Sequence, residues 1–233
     1  MTIMMDKNGR RLSDRQIERR ETILSVTLEM LAKKGYSGVT MDDLAAASGV
    51  TKRTLYDIYG SKDALLSAVV SKRMLELLDR IEAGAKGRGL RRLLTVIRMT
   101  IGAVLEYPVL ARSLEPILLR DPGNFTIGEF FNRLHRRCLV DLAEDGGIAA
   151  WADIDFLVAN MMIDQIAVQN FWAADIIANA QLESFALLSA CRILLPVANG
   201  QTQLDLNSQI RRLQARIGKW PAKLQPGPEG RGG

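Results

Sequence analysis

Histidine is almost missing from this 233-residue chain, with His135 alone, and cysteine occurs twice, at Cys138 and Cys191. One histidine cannot supply the base of a catalytic set and a metal cage as well. No nucleophile, base and orienting acid come together in the sequence, no glycine loop cradles phosphate, and the carboxylates are spread along helical stretches. The expectation is a protein that is not an enzyme and carries no cofactor. His135 and Cys138 stand at i and i+3, a spacing from which one helix can offer two ligands to a metal. No second such pair exists, and Arg133, Arg136 and Arg137 beside them repel a cation, so no metal site is expected. Two cysteines make no disulfide framework and read as small core thiols of a reducing compartment. No run of 18 uncharged apolar residues occurs, and the amino terminus MTIMMDKNGRRLSDR lacks an apolar signal core, which predicts a cytoplasmic protein with no membrane partner. Aromatic residues make up only 6% and strand-type alternation is scarce, while Ala, Leu, Ile, Met and Arg fill the periodic stretches. These features predict an all-α fold.

What is present is enough apolar material, 48% of the chain, for a small domain and a medium one. The net charge of +5 sits at the ends. Residues 1–62 hold eleven Lys and Arg against eight Asp and Glu, residues 203–233 six against two, and residues 86–202 eleven against twelve. A basic amino-terminal part suits a nucleic-acid partner, although the excess is modest.

The densest local punctuation lies in Thr40 to Lys62, TMDDLAAASGVTKRTLYDIYGSK. Thr40 is placed to cap a helix beginning at Met41, with Asp43 reaching back to the cap as a short-armed capping box. Asp42 and Asp43 suit the positive end of that helix. Ala45 is small where a second helix crosses closely, Gly49 suits the left-handed backbone of a tight turn, and Val50 and Leu55 are apolar where two helices share a core. Thr51 then caps a second helix whose first turn presents Lys52, Arg53 and Thr54 outward. Those residue types can touch base edges in a major groove, while hydroxyls and amides meet phosphates, and Tyr56, Tyr59 and Lys62 add polar reach toward the backbone. Singly, the threonines are more often plain caps, the tyrosines packing and the basic pair a solvated face. Together in 23 residues they predict a helix-turn-helix that binds double-stranded DNA.

Gly35-Tyr36, Thr40 and the run Val50-Thr51-Lys52-Arg53-Thr54-Leu55-Tyr56-Asp57-Ile58-Tyr59-Gly60-Ser61-Lys62 also resemble the amino-terminal domain of the TetR/AcrR family of one-component transcriptional regulators. The resemblance covers about residues 19–75 and departs at Ile58, where the family often has a His or Tyr able to contact phosphate. It implies a repressor that occupies an operator until a small-molecule effector releases it. It also implies a dimer formed by pairing the last two core helices with those of a second subunit. The alternatives are a constitutive DNA-binding protein without effector control and, less in keeping with the motif, a helical enzyme or carrier.

Taken in order, residues 1–17 read as a flexible basic arm and 18–60 as the three-helix DNA-binding domain, with a first helix from Gln16 to Lys34 striped by Leu24, Leu28 and Leu31 and stopped by Gly35. Residues 61–83 form a connecting helix capped by Ser61, with Leu66, Val70, Met74, Leu77 and Ile81 on one face. Residues 88–217 form a larger helical effector-binding and dimerisation domain, with segments near 88–107, 109–120, 122–144, 153–179 and 181–195, then an amphipathic extra helix carrying Leu206, Ile210, Leu213 and Ile217. That extra helix could extend the dimer contact or pack on its own subunit. Between Ala149 and Ala190 there is not one Lys or Arg, and the apolar residues fall on more than one face. Met161, Met162, Asp164, Gln165, Gln169, Phe171 and Trp172 are the candidate effector-pocket residues, polar groups among apolar ones. The Pro/Gly-rich stretch 218–233 is expected to be a disordered tail.

Overall fold

The computed structural model describes residues 11–113 and 127–218. Among the described residues every regular element is helical, and backbone pairing outside helices is confined to isolated bridges such as Ile148 with Ala198. The chain forms two compact units. The first holds the described residues up to Glu76 together with the stretch from Tyr107, and the second holds Leu77–Glu106 and the described residues from Ile127.

In the first unit, α1 (Asp14–Lys34) starts two residues before the expected position. The reason is a capping box: Gln16 N–H donates to Ser13 Oγ at 3.3 Å, and Ser13 N–H donates to Gln16 Oε1 at 2.9 Å. Leu12 is buried just ahead of it, so the ordered chain reaches further into the expected arm, while residues 1–10 lie outside the described residues. The buried stripe of α1 runs through Ile23, Thr27 and Leu31, with Leu24 and Leu28 half-buried at its edge. Gly35, at φ 67°, ends the helix and donates its N–H to the Leu31 carbonyl. Two short helices follow, α2 (Met41–Ala47) and α3 (Lys52–Tyr59). Then comes α4 (Lys62–Gly84), about 34 Å long at the usual rise. Its buried stripe is Leu65, Leu66, Val69, Val70, Leu77 and Ile81.

In the second unit, α5 (Gly89–Glu106), α6 (Ile127–Glu144), α7 (Ile154–Ala173) and α8 (Asn179–Leu194) pack in a ring, α5 on α6, α6 on α7, α7 on α8 and α8 on α5. The final helix, α9 (Gly200–Ile217), lies on α8 through Leu206, Leu213 and Ile217. Gln181 Nε2 donates to the Ile217 carbonyl at 3.2 Å and Arg216 meets Glu183 at 3.4 Å, so the extra helix packs on its own subunit. Of the expected segments 109–120 and 122–144, residues 108–113 and α6 are helical, and 114–126 lies outside the described residues, as does 219–233. The expected 153–179 helix stops early, at Ala173. Asp175 takes φ 55°, Trp172 Nε1 donates to Asn179 Oδ1 at 2.7 Å across the bend, and a new helix starts at Asn179. Asn179–Val197 is long and apolar enough to cross a membrane by length and composition, yet 61% of that window is buried, and α8 is the core helix of the unit.

His135 on α6 is only 1% exposed, and burial pushes its imidazole down to about 4. Cys138, one turn on, is buried too, and burial raises its thiol to about 11. Because the folded chain resists protonating His135 while the unfolded chain does so near 6.5, stability is full above that value and falls as pH drops toward 4. The loss is on the order of 3 kcal/mol from this group. Urea denaturation of wild type and His135→Gln at neutral and acidic pH checks it: the difference between the two proteins should change in the wild type's disfavour on acidification. An unchanged difference would show that His135 does not titrate with folding.

Candidate nucleic-acid interface

Seven- and eight-residue helices are too short to persist alone, so their ends must be fixed by caps and their inner faces by a core. At α2, Thr40 N–H donates to Asp43 Oδ2 at 2.9 Å, Thr40 Oγ1 donates to the same oxygen at 2.6 Å, and Asp43 N–H donates to Thr40 Oγ1 at 3.2 Å. Those bonds hold the Asp43 carboxyl below its ordinary range. The turn then tightens, with Ser48 N–H to Leu44 O at 3.0 Å and Val50 N–H to Ala45 O at 3.0 Å. Gly49 sits at φ 65°, a region that side chains resist. Thr51 restarts the helix, accepting from Thr54 N–H at 3.1 Å, with the two threonine hydroxyls 2.9 Å apart. Val39, Met41, Leu44, Ala45 and Leu55 form the shared core, and Val50 is half-buried beside it.

This arrangement leaves one open face on α3. Arg53 has 91% of its side chain exposed and only a loose partner, Asp57 Oδ2 at 3.8 Å. Tyr56 is exposed as well. Lys52 is half exposed, and its Nζ lies 2.8 Å from Asp42 Oδ2 on α2. Thr40 and Thr51 are exposed, and Thr54 is half-buried.

Two of the eight candidate contact residues have their polar atoms turned toward the protein in this structure. The Tyr59 hydroxyl is enclosed without a hydrogen-bond partner among the described residues, and burial raises its phenol. Lys62 donates from Nζ to the Tyr36 carbonyl at 2.6 Å and stacks 4.0 Å from the centre of the Tyr36 ring. Tyr36 in turn donates its hydroxyl to Asp63 Oδ1 and its N–H to Ser113 Oγ at 3.3 Å. The first turn of α4, the turn after α1 and the helical stretch 108–113 thus meet at one tyrosine. Neither Asp42 nor the Tyr36–Asp63 pair was expected as part of the site, since each is joined to its partner through space rather than by a helical period.

The candidate effector residues divide. Met161, Gln165 and Trp172 share one face of α7, at i, i+4 and i+11. Met161 and Trp172 are buried, and the Gln165 Nε2 is enclosed without a partner among the described residues. Met162 and Gln169 are half-buried. Asp164 accepts from Ser189 Oγ at 2.6 Å and belongs to the α7–α8 contact, and Phe171 is exposed. Those two do not join the inner group.

The capped pair α2–α3, with α1 packed on α2, has the arrangement of a helix-turn-helix. Residues 23–69 match the sequence profile of "Bacterial regulatory proteins, tetR family". It is 51% identical over 55 residues to the uncharacterized HTH-type transcriptional regulator YvaF of Bacillus subtilis, a match covering 24% of this chain and 28% of YvaF. It is 28% identical over 135 residues to the HTH-type transcriptional repressor KstR of Rhodococcus jostii, covering 55% of this chain and 63% of KstR. Over YvaF the chain thus spans little more than a quarter of the relative's length. Among solved structures, a TetR transcription regulator from Haloarcula marismortui superposes with a TM-score of 0.65 at 17% identity, over 78% of this chain and all of that one. A TetR-family regulator from Marinobacter aquaeolei gives 0.61 at 17%, over 83% and 98%. These likenesses show the fold over about four fifths of the chain, and the relatives are named as transcriptional regulators.

The Tyr36 phenol is pushed up to about 12, first by burial and then by its bond to Asp63 and the charge of that carboxylate. With the folded value above the ordinary one near 10, its contribution to stability is full below that pH and is lost as pH rises toward 12. Ultraviolet titration of the phenols should show one late component that moves down in Asp63→Asn without reaching the ordinary value, because burial remains. A titration curve identical to wild type would remove Asp63 from the clamp.

Proposed function

We propose that the chain is a ligand-responsive transcriptional repressor that binds an inverted-repeat operator as a homodimer. The observation that carries this reading is the open face of α3, where Arg53, Tyr56 and Lys52 stand outward from a helix whose position is fixed by two caps and a glycine turn. Side chains in that first turn suit base edges, and Thr40, Thr51 and Thr54 suit phosphates. Lys62 and Tyr59 then act mainly by holding the unit together. One such helix touches few base pairs, and a two-fold dimer doubles them. The similarity to KstR, a transcriptional repressor, supports repression over activation. A DNA partner places the protein in the cytoplasm, where the buried, free thiols of Cys138 and Cys191 stay reduced.

We place the dimer contact mainly on α7, since α8 is covered by α5, α7 and α9 of its own subunit. α7 carries an outward row of Phe156, Ala159, Ile163, Ile166 and Ala167, with Phe156 67% and Ile163 64% exposed and no charged side chain in the row. A row without charge is complementary to a second copy of itself related by a two-fold axis. The effector is assigned to the interior of the second unit beside Met161, Gln165 and Trp172, with Met162 and Gln169 at its edge. Control would pass through α4, one unbroken helix with residues in both units. An effector acts only through its differential affinity for two arrangements, and a coupling of about 1 to 3 kcal/mol corresponds to a 5- to 150-fold loss of operator affinity.

Binding of the purified protein to the DNA upstream of its own gene, read by gel shift, tests the reading as a whole. No retarded complex with that DNA or with a selected duplex would refute it. For the dimer, Ile163→Glu introduces facing like charges into an apolar contact. Light scattering should then give a monomer at micromolar concentration, with operator affinity reduced at least tenfold and the helical signal intact. A variant that stays dimeric would exclude α7 as the contact.

A further inference from the structure

We propose that Asp42 is a specificity-determining residue, holding Lys52 so that it engages DNA only where a base edge offers it a better partner. The inference rests on the DNA-binding reading above and concerns a residue to which that reading gives no role. Asp42 stands in the first turn of α2 and Lys52 opens α3, so their 2.8 Å contact spans the helix-turn-helix turn. Both ends are open to solvent, at 71% and 48% side-chain exposure, and an exposed pair of this kind adds little to stability. The cap of α2 does not need it, since Asp43 and Thr40 satisfy each other. Because Asp42 lies against Lys52 of the proposed reading turn, its carboxylate would disfavour an approaching polyanion, and its place there calls for a role in discrimination. Arg53 differs: its ion-pair partner, Asp57, is on its own helix and 3.8 Å away. Of the two basic groups on the reading turn, one is latched and one is open.

The latch discriminates because the alternatives offered to Lys52 differ. On random DNA the ammonium would exchange Asp42 for a phosphate, and the freed carboxylate would then face the backbone unpaired. At the matching sequence a guanine edge offers acceptors in the groove, where the lysine reaches while Asp42 stays clear of phosphate. Asp42 thus lowers non-specific affinity more than specific affinity, a form of selection by an unfavourable element.

Fluorescence anisotropy on the full chain tests this with two probes, a duplex selected by the wild-type protein from a randomised library and poly(dI-dC), over a range of KCl concentrations. Asp42→Asn should bind poly(dI-dC) severalfold more tightly, with a log–log salt slope steeper by about 0.9, the value for one further phosphate contact. Its preference for the selected duplex should shrink. Asp42→Glu, which keeps the charge, should keep most of that preference. In a Lys52→Ala background, Asp42→Asn should leave the salt slope unchanged. An equal gain on both probes, no gain on poly(dI-dC), or the same gain with and without Lys52 would overturn the proposal and leave only a general charge effect or none. Wild-type protein that binds neither probe would refute DNA binding itself, a separate outcome visible before any variant is compared.

Discussion

Two helices of seven and eight residues cannot hold themselves, and the functional face of this protein depends on the devices that hold them. Thr40 with Asp43 fixes where α2 begins, Gly49 lets the chain reverse, and Thr51 fixes where α3 begins. Each cap sets a rotational phase as well as a starting point, and that phase decides which side chains face inward. With Thr51 as cap, Leu55 falls on the core and Lys52, Arg53 and Tyr56 fall outside it. A cap shifted by one residue would turn the helix by about 100°, burying charge and exposing Leu55. The chemistry of the face is thus a consequence of two hydroxyl-to-amide bonds.

The same economy of short-range devices appears around Tyr36. Its ring supports Lys62, its hydroxyl meets Asp63, its carbonyl takes the Lys62 ammonium, and its amide meets Ser113. Gly35 before it, at φ 67°, takes a backbone conformation that side chains resist, with Ser113 and Val109 at ordinary contact distance, 3.6 to 3.7 Å, from where a Cβ would stand. A reading helix is useful only if its supporting unit is rigid, and this tyrosine gathers three chain segments that are distant in sequence.

Much of this was legible in the sequence where the signal is local. Thr40, Asp43, Gly49, Thr51 and Gly35 act within four residues of themselves, so residue type and spacing revealed their roles. The start of α1 was missed by two residues because Ser13 and Gln16 form a capping box inside a stretch that looked too polar to be ordered. The end of α7 was missed because nothing local marks it: the apolar period runs on past Ala173, and the break is held by Trp172 bonding to Asn179 and by Asp175 in a left-handed conformation. The effector candidates were drawn from composition alone, and composition cannot separate Gln165, enclosed on the inner face, from Asp164 one residue away and bonded to Ser189. Lys62 carries the polar atom of a contact residue, yet whether its ammonium faces out is settled by Tyr36, which lies on another element.

The distribution of charge follows a related logic. The amino-terminal 62 residues exceed neutrality by only three positive charges, and both basic residues on the reading turn stand near a carboxylate. Non-specific affinity for DNA grows with each phosphate neutralised, while specificity depends on the difference between right and wrong sites. A strongly basic face would bind any duplex and spend most of its time on the wrong sequences of a genome. Restraining the net charge of the face shifts the balance toward contacts that depend on geometry, which is where rigid presentation by the caps and by Tyr36 has its effect. In this chain the modest basicity and the heavily fixed backbone of α2 and α3 are therefore two parts of one solution, since geometric selection works only if the helix arrives at the groove already in position.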